Sequence, residues 1–358
     1  MLAAVIDCID LDGEVAFLCE HAGFRIHLVS PADDPRSVVL EHTLGSRIEI
    51  RRSDRNWPIQ LRVPSDDDRL LESPGGTVIH QRPDGSQVLE ALGAEMTVPH
   101  NHATLSVVET TAGTFGVGRA GMEYRDLLPD RSGGRFIASH IRILDEGDVG
   151  DWVHFHRIRF QMIYVVSGWV DVVYEGQGEP FRMHAGDCVL QPPEIRHRVL
   201  RSSAGLEVIE IGSPAEHDTI ADHDMVLPTG VAEPGREFWG QRFVRHVASG
   251  SALSSWIDRS LSARETGIGA ATGGLAGAVV VSRSGDRRQT GELVHHGEFV
   301  MIVGLHGSAR IELGAESVDL TPRSSVAVPA GLAWSWSDTS PDHQALVVTL
   351  PETAIEAV

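Results

Sequence analysis

Two histidines, His154 and His156, stand one residue apart in the stretch HFHRIRFQ, which precedes the apolar run MIYVVSG. Alternate side chains of an extended strand share a face, so both imidazoles point to the same side. On a core face they need partners, and the natural partner of two convergent imidazoles is a metal ion. The alternative is a solvent-facing pair, which is what most isolated HxH sequences are. Further residues are needed to decide between the two.

Two more side chains of suitable type follow along the chain. Gln161 lies five residues after the second histidine, and His197 ends the stretch GDCVLQPPEIRH one hairpin further on. Gly186 and Asp187 predict the turn of that hairpin, and the rigid QPPE segment predicts that His197 lies on the next strand.

With these residues the sequence resembles the cupin superfamily, whose first motif is HxH, four residues, a carboxylate, six residues and glycine. The corresponding positions here are His154, His156, Gln161 and Gly168. The second motif is glycine, five residues, Pro-x-Gly, two residues and histidine, and the positions here are Gly186, Pro192, Glu194 and His197. The sequence departs from the family pattern at Gln161 (usually a carboxylate), Glu194 (usually glycine) and Arg201 (usually asparagine).

The resemblance implies a metal site whose ligands converge inside a β-barrel on one divalent ion: His154, His156, Gln161 and His197. Gln161 is either the fourth ligand or an outer residue beside a site of three histidines. Imidazole ligands suit Fe(II), Ni, Mn, Cu or Zn, and resemblance to cupin dioxygenases makes Fe(II) the first choice. Neutral imidazoles and a neutral amide leave the charge of the ion uncompensated, so we expect an anionic, chelating substrate.

Residues 111–230 and 231–358 read as two copies of one β-rich unit. SGGRFIASHIRI matches TGGLAGAVVVSR, VHFHRIRFQMIYVVSG matches LVHHGEFVMIVGLHG, and VLQPPEIRHRV matches VAVPAGLAWSW, at offsets of 140, 139 and 137 residues. Slowly drifting offsets indicate duplication with small loop deletions. We therefore predict a mainly β fold with two cupin barrels in tandem, here called the first barrel (111–230) and the second barrel (231–358).

The second barrel lacks the metal-binding residues of the first. His295 stands at the second HxH position, but Leu293, Val300 and Trp334 replace the other three residues. The adjacent pair of His295 and His296 cannot bind one ion well from a strand, because neighbouring side chains point to opposite faces. We expect a degenerate barrel that is retained for packing or pairing.

Residues 1–110, here called the N-terminal module, predict a small α+β fold. Their first 52 positions read as a strand, a helix and three strands. This order resembles half of a glyoxalase/bleomycin-resistance module, a family that takes its metal ligands from two such halves. No second half is recognised, so we interpret His21, His27 and Glu49 as surface or packing residues. We expect a structural or dimerising role, which allows for a homodimer.

Composition excludes several classes of function. The formal charge is −20 and the pI is near 5.3, which disfavours nucleic-acid and anionic membrane partners and favours a small-molecule substrate. All 30 basic residues are arginine, so the chain has neither a Schiff-base nor a Walker lysine.

Three widely spaced cysteines support neither a disulfide framework nor a cysteine zinc site. No apolar run reaches membrane-spanning length, and we expect a cytoplasmic location.

Two other signals are interpreted as structural. The glycine-rich GVGRAG (Gly116–Gly121) reads as a loop leading into the first barrel, because no long helix in a βαβ setting follows it. Cys188 reads as a small buried side chain rather than a nucleophile, although it lies near His197 in the sequence.

The sequence therefore predicts a metal-dependent dioxygenase that acts on a small anionic enol, diketone or aromatic compound. One alternative is a metal-dependent isomerase or lyase, in which the ion acts only as a Lewis acid. The other alternative is a barrel that binds a small molecule without turning it over.

Overall fold

The computed structural model describes residues 4–42, 45–57, 59–64, 69–82 and 98–358. These residues form two compact units. The first unit contains the described residues up to residue 82 together with Trp152–Arg157 and His217–Met225. The second unit contains the other described residues. The HxH strand therefore belongs to the same unit as most of the N-terminal module.

The N-terminal module has the strand, helix and three strands that its sequence predicts. Its elements are β1 (Ala4–Cys8), α1 (Leu11–His21), β2 (Phe24–Ser30), β3 (Ser37–His42), β4 (Arg47–Arg52), β5 (Gln60–Pro64), β6 (Arg69–Glu72) and β7 (Val78–Arg82). Asp10 caps the helix by accepting a hydrogen bond from the backbone N–H of Gly13. Gly23 follows the last turn with a φ of +68°, a conformation that favours glycine.

Short strands are the main regular secondary structure of the described residues after 105. Residues 106–221 form β8 (Ser106–Val108), β9 (Gly116–Val117), β10 (Glu123–Asp126), α2 (Arg131–Gly134), β11 (Ile137–Ile143), β12 (Gly147–Asp148), β13 (His154–His156), β14 (Phe160–Ser167), β15 (Trp169–Tyr174), β16 (Phe181–His184), β17 (Cys188–Leu190), β18 (His197–Ser202), β19 (Leu206–Ser213) and β20 (Thr219–Ala221). A single 3₁₀ turn, Arg119–Gly121, interrupts them.

The second barrel repeats this pattern of short strands. Its elements are β21 (Glu237–Phe238), β22 (Gln241–Arg242), β23 (Val244–His246), β24 (Ser254–Ser255), β25 (Leu261–Glu265), α3 (Ile268–Ala271), β26 (Gly277–Arg283), β27 (Leu293–His295), β28 (Phe299–His306), β29 (Ala309–Leu313), β30 (Glu316–Leu320), β31 (Ser325–Ala327), β32 (Ser335–Ser337), β33 (Gln344–Leu350) and β34 (Ile355–Ala357). Among the described residues, no helix is long and apolar enough to cross a membrane.

The sheet of the first unit extends beyond the N-terminal module. Its strands lie in the order β1-β4-β3-β2-β20-β13, with β1 and β4 parallel. Strand β20 pairs with β2 on one side, where Thr219 lies opposite Val29, and with β13 on the other, where Thr219 lies opposite His156. Helix α1 packs on this sheet through an apolar core that includes Leu18 and Leu40. The HxH strand is thus a continuation of the module's sheet.

Two seven-stranded antiparallel sheets dominate the second unit. One has the order β23-β17-β14-β19-β11-β10-β9, and the other has the order β24-β25-β26-β33-β28-β31-β8. A large apolar core contains side chains from both sheets, and within it Phe136 stacks on Phe299 with 4.2 Å between the ring centroids. The interiors of the first and second barrels have separate apolar cores.

Corresponding strands confirm the duplication. Strands β14 and β28 each contain eight residues, and their first residues, Phe160 and Phe299, are 139 positions apart. Each pairs with a long antiparallel strand, β19 or β33, and both pairings have a register shift near the end, at Val165/Ser167 and Gly304/His306. The mainly β, two-barrel fold predicted from the sequence is confirmed.

Side chains of β14 alternate between two cores. Met162 and Tyr164 belong to the core that both seven-stranded sheets share, and Ile163 packs with Val165 in the core of the first barrel. Because strand side chains alternate, Gln161 shares the face of Ile163 and Val165. Tyr164 and Gln161 therefore face opposite ways.

Candidate metal centre

Three of the predicted ligands come together. Ring nitrogens of His154, His156 and His197 lie within 4.8 Å of one another, and the residues are only 1%, 6% and 4% exposed. Two come from β13, and the third is the first residue of β18. Imidazole nitrogens bind first-row metal ions at about 2.0–2.1 Å, so nitrogens that share one ion must lie within a few ångströms of one another. The group could therefore hold a metal ion.

Backbone carbonyls fix the tautomer of two of these rings. The Nδ1–H of His154 donates to the carbonyl oxygen of Trp152 at 2.8 Å, and the Nδ1–H of His197 donates to that of Ile195 at 3.0 Å. A carbonyl oxygen only accepts, so in both rings Nδ1 carries the hydrogen and Nε2 carries the lone pair. Protein partners of this kind orient metal-binding histidines and raise their basicity.

The third ring has a side-chain partner instead. The Nδ1 of His156 lies 3.0 Å from the hydroxyl oxygen of Thr219, a fully buried residue of β20. A hydroxyl can accept a hydrogen bond, so Thr219 is suited to hold the same tautomer in His156. All three histidines therefore have a protein partner at Nδ1, which is the arrangement found around metal-binding imidazoles.

The surroundings of His197 keep it neutral. Its ring stacks on that of Tyr174, with 5.4 Å between centroids and 19° between planes. Gln191 in turn donates to the hydroxyl oxygen of Tyr174 at 2.8 Å. Burial lowers the pKa of His197 to about 4. The ring is thus uncharged at neutral pH, as a metal ligand must be.

The turns that place His197 follow the sequence motif in spite of one departure. Gly186 has a φ of +94°, and the adjacent Asp187 accepts a hydrogen bond from the backbone N–H of His184 at 2.9 Å. Glu194, where glycine is usual, takes the left-handed conformation with a φ of +63°. That conformation costs a residue with a Cβ about 1–2 kcal/mol. The chain therefore keeps the glycine-type turn with a glutamate in it.

Gln161 is held by a carboxylate that the sequence analysis missed. Its side-chain nitrogen donates to Glu210 of β19. A carboxylate only accepts, so Nε2 faces Glu210 and Oε1 points the other way. Gln161 is 1% exposed, and its Oε1 is buried without a hydrogen-bond partner in the described part of the chain. A buried amide oxygen that has no hydrogen-bond partner is suited to bind a metal ion or to accept a hydrogen bond from a metal-bound hydroxyl group.

A buried ion pair lies between the loop GVGRAG and the ligand strands. Arg119 of that loop donates to Asp151, and their side chains are 10% and 0% exposed. The second oxygen of Asp151 accepts the backbone N–H of Val199 at 2.9 Å, two residues beyond His197. The positive charge of Arg119 acts to lower the pKa of His197, which indicates that the two are close. GVGRAG contains the two-residue strand β9 and a 3₁₀ turn, with no long helix after it, and it carries a buried cation.

Three side chains that contact the predicted ligands or their strands were not found from the sequence: Asp151, Glu210 and Thr219. Each comes from a segment outside the family motifs, so spacing alone cannot point to it. A glutamate flanked by isoleucines in VIEIG, and an acid three residues before the first histidine, are the only signals. Glu210 adds a carboxylate that is hydrogen-bonded to Gln161, one of the predicted ligands.

In the second barrel, apolar side chains fill the positions that correspond to the predicted metal ligands of the first barrel. Trp334, at the position of His197, is 1% exposed in an apolar core that also contains Leu293 and Val300. His295 is buried, and its Nε2 lies 2.7 Å from the carbonyl oxygen of Val328. The neighbouring His296 is exposed and pairs with Glu356. The two histidines point to opposite sides, and the degenerate second site is confirmed.

Cys188 is a core residue. It is fully buried in the core that both seven-stranded sheets share. Burial raises the pKa of its thiol, and the thiolate is the reactive form. The interpretation as a structural cysteine is confirmed.

Comparisons with known proteins agree with the fold. Residues 140–212 match the model of the cupin domain. Together with the architecture described above, this match shows the fold of a two-barrel cupin. No curated protein sequence matches the chain significantly.

Solved structures of oxalate decarboxylase from Bacillus subtilis resemble this chain. A deletion mutant has a TM-score of 0.53 and 12% identity, over 75% of this chain and 88% of the other. The structure at pH 4.6 has a TM-score of 0.51 and 10% identity, over 75% and 87%. At such low identity the likeness shows a common fold.

Proposed function

We propose that this protein is a metal-dependent oxygenase that cleaves a small anionic enol, diketone or aromatic substrate, with Fe(II) as the ion. The observation that supports it most is the group of three buried histidines, each with a protein partner at Nδ1. A site of three neutral donors leaves coordination positions for a substrate, as catalytic metal sites do. Gln161 is proposed as a fourth ligand or as an acceptor for a group bound to the ion.

The charge of the site favours an anionic substrate. The histidines and Gln161 are neutral donors, and the carboxylate of Glu210 is bonded to Gln161 and does not belong to the three-histidine group. Asp151 is paired with Arg119 and so contributes little net charge. An ion of charge +2 is thus only partly compensated, and an enolate or carboxylate would complete the neutralisation.

The protein side chains have separable roles in such a reaction. When bound, Fe(II) would supply Lewis-acid and one-electron redox chemistry. His154, His156 and His197 would hold it, and their Nδ1 partners keep the rings oriented. The oxygen of Gln161 can accept a hydrogen bond from a protonated oxygen of the substrate. Ile195 and Val172 belong to the apolar core of the first barrel, which would help to keep water out of the site.

A redox-neutral lyase is the second candidate. The likeness in fold to oxalate decarboxylase favours it, since oxalate is a small chelating dianion. Glu210 adds a specific argument, because a carboxyl group beside the site could deliver the proton that replaces released carbon dioxide. Such a reaction consumes no oxygen in its overall stoichiometry, which separates it from an oxygenase.

The two candidates are tested by measuring oxygen and carbon dioxide together. The metal-free protein is loaded with Fe(II), and separately with Mn(II), and offered β-diketones, gentisate-like and flavonol-like compounds, and small dicarboxylates. Oxygen uptake equal to substrate consumption supports the oxygenase, and carbon dioxide release without net uptake supports the lyase. Turnover should vanish in His156→Ala and persist in His296→Ala, an exposed histidine of the second barrel. No turnover with any compound would contradict both candidates. The remaining interpretation would then be a barrel that binds a small molecule without turning it over.

A further inference from the structure

We infer that the N-terminal module is a working part of the metal centre and acts through Thr219, an inference that rests on the metal binding proposed above. The module and the HxH strand form one sheet, in the order β1-β4-β3-β2-β20-β13. Strand β20 is the link, because it pairs with β2 of the module on one edge and with β13 on the other. Two of the three histidines therefore lie on a strand that the module's sheet supports.

Thr219 occupies the decisive position in that link. Its backbone lies opposite Val29 of the module and opposite His156. Its side chain is fully buried, and the hydroxyl oxygen is 3.0 Å from Nδ1 of His156. A shift of β2 would thus reach the ring of His156 through a single residue. Thr219 is a positioning residue, since it acts on the ion only through His156.

A second connection reaches the other histidine of the strand. His223, two residues beyond β20, forms a hydrogen bond through Nε2 with the carbonyl oxygen of Ile26 in β2. Trp152 lies against His223 with 6.3 Å between centroids, and it meets His154 edge to face at 5.3 Å. Trp152 also supplies the carbonyl oxygen that accepts from His154. Both ligands on β13 thus have a route to the module.

The chemistry of the hydroxyl sets the expected effect. An acceptor at Nδ1 fixes the tautomer that leaves the lone pair on Nε2 and restricts rotation of the ring. Valine has the shape of threonine without the acceptor, so it would leave the ring with two available tautomers. Loss of one such partner typically weakens metal binding about 10–100-fold.

Co(II) binding to the full-length protein tests the role of Thr219, because Co(II) reports its coordination through visible absorption. We expect Thr219→Val to weaken Co(II) binding about 10–100-fold and to change the absorption bands. Thr219→Ser keeps a hydroxyl acceptor, so its affinity for Co(II) should lie within about threefold of the wild type. Thr219→Ala lacks the acceptor, so its affinity should be as low as that of Thr219→Val. The matched control is Thr290→Val, a buried threonine of the second barrel whose hydroxyl accepts the backbone N–H of Trp336.

Hydrogen exchange tests the role of the module in the same protein. Addition of Co(II) to the wild type should slow exchange in Phe24–Ser30 and leave Ala309–Leu313 of the second barrel unchanged. In Thr219→Ala the slowing in Phe24–Ser30 should be lost. Slowing that is confined to the barrel residues would contradict the inference.

Failure of this inference can be told apart from failure of the metal site. If the wild type binds Co(II) while Thr219→Val keeps the same affinity and spectrum, the role of Thr219 is wrong and the metal site stands. If the wild type binds no Co(II), the metal site and this inference are both wrong. A loss of affinity in Thr290→Val equal to that in Thr219→Val would show a general effect of stability and would also overturn the inference.

Discussion

The side-chain nitrogen of Gln161 donates a hydrogen bond to a carboxylate oxygen of Glu210, and this contact decides which end of the amide remains for other partners. The two residues lie on neighbouring antiparallel strands, where Ile163 is opposite Glu210. The negative charge that a cupin motif usually has at Gln161 is thus present here, one strand away. Substitutions at this pair separate the role of charge from the role of direct ligation.

Gln161→Glu should destabilise the metal-free protein above neutral pH. Two carboxylates in contact cannot both ionise easily, so the pKa of one of them rises above its unfolded value. The loss of stability is then small near pH 5 and grows as pH rises, reaching about 1–3 kcal/mol at pH 8. Denaturant unfolding at the two pH values measures it. Gln161→Glu/Glu210→Gln should remove most of the loss, and a loss independent of pH would contradict the argument.

Glu298 should make stability depend on acid pH. This residue of the second barrel accepts from Arg159 at 2.9 and 3.0 Å and also from Arg135, and these hydrogen bonds lower its pKa to about 2. Its folded-state pKa lies below the unfolded value, so its stabilisation is complete above pH 4.5 and is lost as pH falls toward 2.

Glu298→Gln measures this contribution. The side chain is 34% exposed, so solvent screening reduces the expected loss in free energy of unfolding at pH 7 to about 1–2 kcal/mol. The difference from wild type should shrink as pH falls toward 2 in urea unfolding. The exposed Glu292→Gln is the control and should change little. A constant difference at every pH would refute the assigned cause.

The two barrels should respond differently to loss of corresponding side chains. Trp334→Ala removes a large side chain from the packed second barrel and should cost about 3–5 kcal/mol of unfolding free energy without loss of metal binding. His197→Ala should remove metal binding at a smaller cost in stability. Metal titration and denaturant unfolding of both variants provide the comparison. Loss of metal binding in a folded Trp334→Ala protein would contradict the view that the first barrel binds the metal and the second barrel only packs.

Asp151→Asn should be strongly destabilising. The change leaves the buried guanidinium of Arg119 without its carboxylate, and breaking a buried ion pair on one side costs about 3–5 kcal/mol. Arg119→Met added to Asp151→Asn should recover part of the loss, because no uncompensated charge remains. The free energies of the two single variants and the double variant measure the coupling. Simple additivity would show that the pair does not interact.

The sequence was sufficient for features that are encoded locally. The histidines on β13 follow from strand alternation, and His197 follows from a turn and a rigid proline segment. The strand and helix order of the first 52 residues follows from capping and periodicity over short windows. Both barrels were recognised because duplicated segments can be compared within one chain.

Features that depend on strand neighbours were not accessible in this way. Thr219 meets His156, and Glu210 meets Gln161, only because of sheet order and register between segments about 50–60 residues apart. Nothing in the local sequence states that β20 joins the sheet of the N-terminal module to β13. Direct ligation by Gln161, the identity of the metal, the domain boundaries and the glyoxalase-like resemblance of the module stay predictions.

Metal analysis of the purified protein by plasma mass spectrometry is the most direct test of the three-histidine centre. The protein should contain about one divalent ion per chain, or take up about one when Fe(II) is added to the metal-free form. His197→Ala should lose this ion, and His296→Ala should keep it. If the folded wild type takes up no ion, or if His197→Ala binds as much as the wild type, the metal centre is contradicted.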